Sequence, residues 1–233
     1  MPKVIFRYNL KGDVWNWVRI LRHPKHWGTE ANTSFCPVDL QKKITKLGQE
    51  KAEQAVSDYL KPRIEKDLGK EINQYIKIYS ALWNKINNKF FARLKKITQK
   101  PICAKEFVAD ITTASRCPYF EGHHSFMVKI IKTPKYQRHV IDIATHEILH
   151  LQFLHYYRQL CEKNKLSEAQ IQHLKESLTF LLNTDFSDII TDKDLGYPDH
   201  QKLRKGLEKI WLDSKKDFSL FLPEAIKLTK KLF

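Results

Sequence analysis

The 233 residues are 42% hydrophobic and 12% aromatic, enough apolar material for one core with a small helical extension, which excludes wholesale disorder. Seven Gly and nine Pro, with no internal repeat, exclude a loop-rich or repetitive architecture. The formal charge of +15 leaves nucleic acid, an anionic membrane surface or an acidic substrate as partners to weigh. Its lysines are spread along helical stretches such as "NKINNKFFARLKKITQK", so solvated helix faces are the expected reading and nucleic acid is the rival partner, not the favoured one. No apolar run approaches the roughly 18 residues of a membrane span. The N-terminus has no uninterrupted apolar stretch or small-residue cleavage site, so no signal peptide is expected. Cys36, Cys103, Cys117 and Cys161 form no C-x-x-C pair, and reduced thiols in a cytoplasmic protein are expected.

In chain order, "KVIFRYNL" reads as a short strand, and "DVWNWVRILRH" as a helix capped at Asp13 with Trp15, Val18 and Leu21 on one face. For "WNWVRILRHPKHW" core packing is preferred over a binding role. From Asp39 to Gln99 the pattern is helical, broken near "LKPRI", where Pro62 forbids a continuous ladder. The apolar positions Ile64, Leu68, Ile72, Tyr75, Tyr79, Leu82, Ile86, Phe90 and Leu94 predict one long amphipathic helix. After Pro101, "ICAKEFVADITTASRCPYF" predicts one or two strands, "EGHH" a turn and "SFMVKII" another strand. Helical periodicity resumes after Pro134, with an interruption at "TDKDLGYPDH". The expected class is α+β: a mainly helical region 1–100 packed on a region 101–233, with a small antiparallel sheet on helices, the two forming one compact unit.

The helix "IDIATHEILHLQFLHYY" carries His146, Glu147 and His150 as H-E-x-x-H. Positions i and i+4 lie one above the other, so both imidazoles can reach one metal ion at about 2 Å. Glu147, about 100° round the helix from His146, is near enough to reach a water on that ion. Two histidines and a glutamate on an otherwise apolar face are costly to bury without a partner, and a metal supplies it.

Catalytic zinc takes three protein ligands. Downstream, "SEAQIQHLKESLTFLLN" predicts a helix capped by Ser167, in which Glu176 sits among leucines and is the best third ligand. Asn183, on the same face, is a candidate supporting hydrogen bonder. His173, Asp185 and Asp188 stay open as alternatives, whereas His155 points away from His150 and His123 and His124 read as turn residues.

This arrangement, H-E-x-x-H on one helix and a glutamate in an E-x-x-T-like context on a later one, resembles the gluzincin branch of the zincin metallopeptidases over residues 101–200. The resemblance implies one Zn2+ held by His146, His150 and Glu176, with Glu147 as general base and acid. It implies that "HHSFMVKI" is an edge strand holding an extended substrate. It also implies a His or Tyr donor to the oxyanion, for which His200 and then Tyr197 are the candidates. The expected function is a zinc metallopeptidase acting on a peptide or protein substrate. The rivals are a catalytically degenerate zincin-like scaffold and a nucleic-acid-associated protease.

Overall fold

The computed structural model describes residues 1–233. Strand β1 (Lys3–Tyr8) buries Val4 and Phe6 between exposed Lys3 and Arg7. Helix α1 (Leu10–Arg22) is capped by Asn9, which accepts from the Gly12 N–H at 3.3 Å, one turn before the cap expected at Asp13. Asp13 is instead buried and accepts from Thr112 Oγ1 at 2.6 Å, Thr113 N at 2.9 Å, Thr113 Oγ1 at 2.7 Å and Tyr8 Oη at 3.1 Å. A two-residue turn, with Trp27 at φ 46° and Gly28 at φ 73°, then joins strands β2 (Lys25–His26) and β3 (Thr29–Glu30). Positive φ at both positions gives the turn the twist a tight hairpin needs.

Helices α2 (Val38–Lys46) and α3 (Gln49–Arg63) follow. The break expected at Pro62 takes the form of a π-helical turn, Ile64–Leu68, between α3 and α4 (Gly69–Asn84). The stripe expected as one helix is divided again before α5 (Asn87–Thr98). There the Trp83 indole donates to Asn87 Oδ1 at 2.8 Å, and the Asn87 amide donates to the Pro2 carbonyl at 3.0 Å. Asparagine side chains that bond locally compete with the helix ladder, and the periodicity of apolar residues does not register them. Ile72, Tyr75, Tyr79, Phe90 and Leu94 are buried all the same.

Strands β4 (Glu106–Thr112), β5 (Tyr119–Phe120) and β6 (Ser125–Lys129) complete a four-stranded sheet in the order β1-β4-β6-β5. The α+β class holds, but the sheet is mixed rather than antiparallel. β1 pairs parallel with β4 and β4 parallel with β6, and only β5 pairs antiparallel with β6. The cause is topological: helices α1–α5 carry the chain back to the starting end before β4, and the β5–β6 hairpin folds β6 inward against β4. The expectation that β6 is an edge is corrected by the same fact, since β5 covers it and Met127 N bonds the Pro118 carbonyl at 2.8 Å.

The last part of the chain is helical: α6 (His139–Lys163), α7 (Glu168–Ser177), α8 (Phe180–Asp185), α9 (Gln201–Asp213) and α10 (Phe218–Leu232). Ser167 and Gln170 form a reciprocal capping box at the start of α7. The helix expected over 167–183 is interrupted at Thr179, whose hydroxyl turns back to the Glu176 carbonyl at 2.9 Å. Phe107, Ala109 and Ile111 of β4 face a core shared with α4, α5 and α6, while Thr112 faces α1. A second cluster joins Val14, Trp17, Val18 and Leu21 of α1 to Ile44 of α2 and Val56 and Leu60 of α3. Region 1–100 thus gives the sheet its β1 and the main core its α4 and α5. All four cysteines are free thiols, and no helix is long and apolar enough to cross a membrane.

Candidate metal centre

Helix α6 is buried along Val140–Leu154 on nearly every side, which is why its apolar residues show no single stripe. Two turns of it present His146 and His150, ring centroids 4.3 Å apart. The last turn of α7 brings Glu176 against them: Glu176 Oε2 lies 3.6 Å from His146 Nε2 and 3.2 Å from His150 Nε2. One ligand atom from each of the three residues lies within 4.8 Å of the others. Ligands about 2.0–2.2 Å from a tetrahedral ion stand about 3.3–3.6 Å apart, close to the two edges that meet at Glu176 Oε2. The donor set, two imidazole nitrogens and one carboxylate oxygen, also suits zinc.

The charges around the triangle point the same way. Glu147 and Glu176 are buried and Asp194 is half-buried; Lys175 pairs with Glu176, Arg204 and His146 pair with Asp194, and no basic side chain pairs with Glu147. Burying excess negative charge is costly, and a divalent cation offsets it.

His146 and Glu176 are each held by a further side chain, and His150 is not. His146 Nδ1 lies 2.7 Å from Asp194 Oδ2, which orients the ring with Nε2 toward the triangle. Burial opposes protonation of His146, but the Asp194 charge outweighs it and raises the ring's proton affinity. Asp194 itself accepts from Thr179 Oγ1 at 2.9 Å and pairs with Arg204 at 3.0 Å. Asn183 clamps the Asp194 backbone at both ends, giving to its carbonyl and taking from its N–H, each at 2.8 Å. The predicted supporting role of Asn183 is therefore one step further out than expected. Lys175, 3% exposed, bridges Glu176 Oε1 at 2.7 Å and Tyr119 Oη at 2.9 Å. Burial pushes Glu176 up, but the facing His150, His146 and Lys175 hold it far below the usual carboxylate range. His150 is buried with Nδ1 unpartnered, and burial pushes its ring down to about 3.

Glu147 is 8% exposed and engages no protein donor; burial and the Glu176 charge push its carboxyl up to about 7, against the pull of His146. It lines a cleft of about 750 Å³ together with all three members of the triangle. Tyr197 lines this cleft and His200 does not. The oxyanion donor read for His200 is corrected accordingly: that ring is fully buried, its Nε2 3.0 Å from His173 Nδ1, and it packs against Trp27 at 5.0 Å. The other ligand alternatives are engaged elsewhere. His173 stacks on Phe233 at 3.7 Å, Asp185 accepts from Trp211 and Lys216 at 2.8 Å each, and Asp188 pairs with Lys89 and Arg93 at the surface.

The sequence reading missed Asp194 and Lys175 and the far wall of the cleft, where Trp15 and Arg19 of α1 and His26 and Trp27 of the hairpin stand. A signal for the wall was present. Trp15 and Arg19 are four residues apart on one face of α1, while Trp17, Val18 and Leu21 pack into the core from another. No family model, no curated protein and no solved structure matches the chain.

Proposed function

We propose that the chain is a zinc-dependent hydrolase of peptide or related amide bonds, of the zincin kind, with His146, His150 and Glu176 as ligands of one zinc ion. The observation that supports this best is a triangle of two imidazoles and a carboxylate on the wall of a cleft, beside a carboxylate that no protein group engages. Zinc held by these three residues would supply Lewis acidity toward a water molecule and the amide carbonyl. Glu147, one residue from a ligand and open to the cleft, takes the proton of the attacking water and returns it to the leaving amine. Tyr197, whose hydroxyl burial keeps protonated, donates to the carbonyl oxygen as charge develops on it. Asp194 and Lys175 do no chemistry; they fix the aim of His146 and Glu176.

Metal analysis and a peptide-library digest read by mass spectrometry test this together. Purified protein should carry one zinc per chain and cleave library members. A His146→Ala, His150→Ala double variant that keeps a full equivalent of zinc would refute the site. Firmly held zinc with no cleavage of any peptide would leave a metal-binding scaffold as the function.

A further inference from the structure

The wall opposite the metal triangle carries a cation that the proposed chemistry does not use. Arg19 projects from α1 into the cleft, half-buried, over the face of Trp15 with its guanidinium carbon 5.6 Å from the ring centroid. It makes no hydrogen bond and no ion pair with any protein group, and burial lowers its proton affinity, an effect opposed only by the more distant Tyr197 and Glu147. The other cations of the cleft are spoken for or exposed. Arg116 is committed to the backbone carbonyls of His23 at 3.1 Å, Pro24 at 2.5 Å and Thr29 at 3.4 Å. Lys175 is committed to Glu176 and Tyr119, and Lys193 is exposed.

A guanidinium stays charged when partly desolvated, and its planar fork matches a carboxylate with two parallel hydrogen bonds. The Trp15 face holds one side of the group, leaving its edge for a ligand. Trp15 is in turn braced by Phe120, 5.3 Å away, at the end of the edge strand β5. Partial burial beside these aromatic rings strengthens a charged contact made there. A chain carrying +15 draws anionic ligands toward it from a distance.

Resting on the hydrolase reading for the identity of the cleft, we propose that Arg19 is the docking group for a carboxylate of the substrate, so that the cleft selects acidic peptides. The carboxylate belongs either to an acidic side chain or to a peptide's own C-terminus, and the two are separable by experiment.

The test is binding, followed by tryptophan fluorescence and calorimetry, so that it does not depend on turnover. Three acetylated pentapeptides with the frame alanine–phenylalanine–X–phenylalanine–alanine are compared: X glutamate with an amidated end, X glutamine with an amidated end, and X glutamine with a free carboxyl end. They are titrated into zinc-loaded Glu147→Gln protein, with and without Arg19→Ala or Arg19→Lys. At least one carboxylate peptide should bind tenfold or more tightly than the neutral one. Arg19→Ala should abolish that preference, and Arg19→Lys should retain only part of it, since an ammonium lacks the fork. Which carboxylate peptide is preferred identifies the source of the charge. Equal binding of all three peptides, no binding of any, or a preference that survives Arg19→Ala would overturn the assignment. Thermal melting checks the fold; a nearly unchanged melting temperature is expected, because Arg19 makes no hydrogen bond or ion pair in the protein and only rests on Trp15. Loss of zinc or of hydrolysis in wild type would count against the hydrolase reading alone, because the Arg19 preference is read from binding.

Discussion

On the α6–α7 wall of the cleft, His146, Glu176, Asp194 and Lys175 hold one another at 2.7–3.6 Å, and Arg204, Thr179 and Asn183 hold them from behind. Across the cleft, Arg19 touches only the face of Trp15. The first wall is preorganised: its groups are aimed before any ligand arrives, and aiming costs nothing at the moment of reaction. The second keeps a charged group uncommitted, which suits recognition rather than chemistry. The helix that carries Arg19 is nevertheless tightly fixed, through Asp13 and the small core it shares with α2 and α3. Rigid backbone with an uncommitted side chain is how a binding wall stays selective.

The largest effect should fall on the one group of the first wall that the protein leaves unengaged. Glu147→Gln keeps shape and loses only the ability to take a proton, so hydrolysis should drop about 10²- to 10⁴-fold with zinc occupancy unchanged. Hydrolysis at the wild-type rate would remove the chemical distinction between the two walls.

The next effect belongs to the second wall and concerns stability. Asp13→Ala removes the acceptor for Thr112, Thr113 and Tyr8 in a buried site, and should cost about 3 kcal/mol in urea denaturation. A loss under about 1 kcal/mol would mean that α1 is held by its apolar face alone.

How legible these walls are in the sequence follows from distance along the chain. The two imidazoles and Glu147 sit within five residues of one helix, so helical geometry alone aligns them. Glu176 is legible as a candidate because a carboxylate among leucines needs a partner, although the same apolar run predicts a helix that continues past the break at Thr179. Asp194 lies in an irregular loop, where no periodicity marks a residue, and it arrives at His146 from 48 positions away. The direction of the His200 ring is illegible for the same reason: the turn around Pro198 aims it at His173, and nothing in "GYPDH" encodes that direction. The parallel pairing of β1 with β4 spans about a hundred residues, and short apolar runs do not specify partners at that range.

Asp194 itself gives the third test. Asp194→Asn keeps a hydrogen bond to His146 Nδ1 and removes the charge, so zinc affinity should fall about 10- to 100-fold in a chelator competition. Because Arg204 then loses its carboxylate partner, the metal-free protein should melt at a lower temperature as well. Unchanged zinc affinity would show that His146 is oriented by packing, not by Asp194.

The smallest effect lies at the start of α1. Asn9 caps that helix with a single contact, its Oδ1 taking the Gly12 N–H at 3.3 Å in an exposed position. Removing such a cap costs about 1 kcal/mol, because one orphan N–H of the first turn returns to water. Asn9→Ala should therefore lower stability to urea by about that amount, well below the loss for Asp13→Ala. The first turn is two turns of helix away from Arg19, and the Asp13 network stands between them. Fraying at Asn9 should thus stop at Asp13, leaving zinc occupancy and the preference for carboxylate peptides as in wild type. If that preference weakens along with stability, the cap and the cleft wall are mechanically one unit, and the rigidity attributed to Asp13 extends to the helix end.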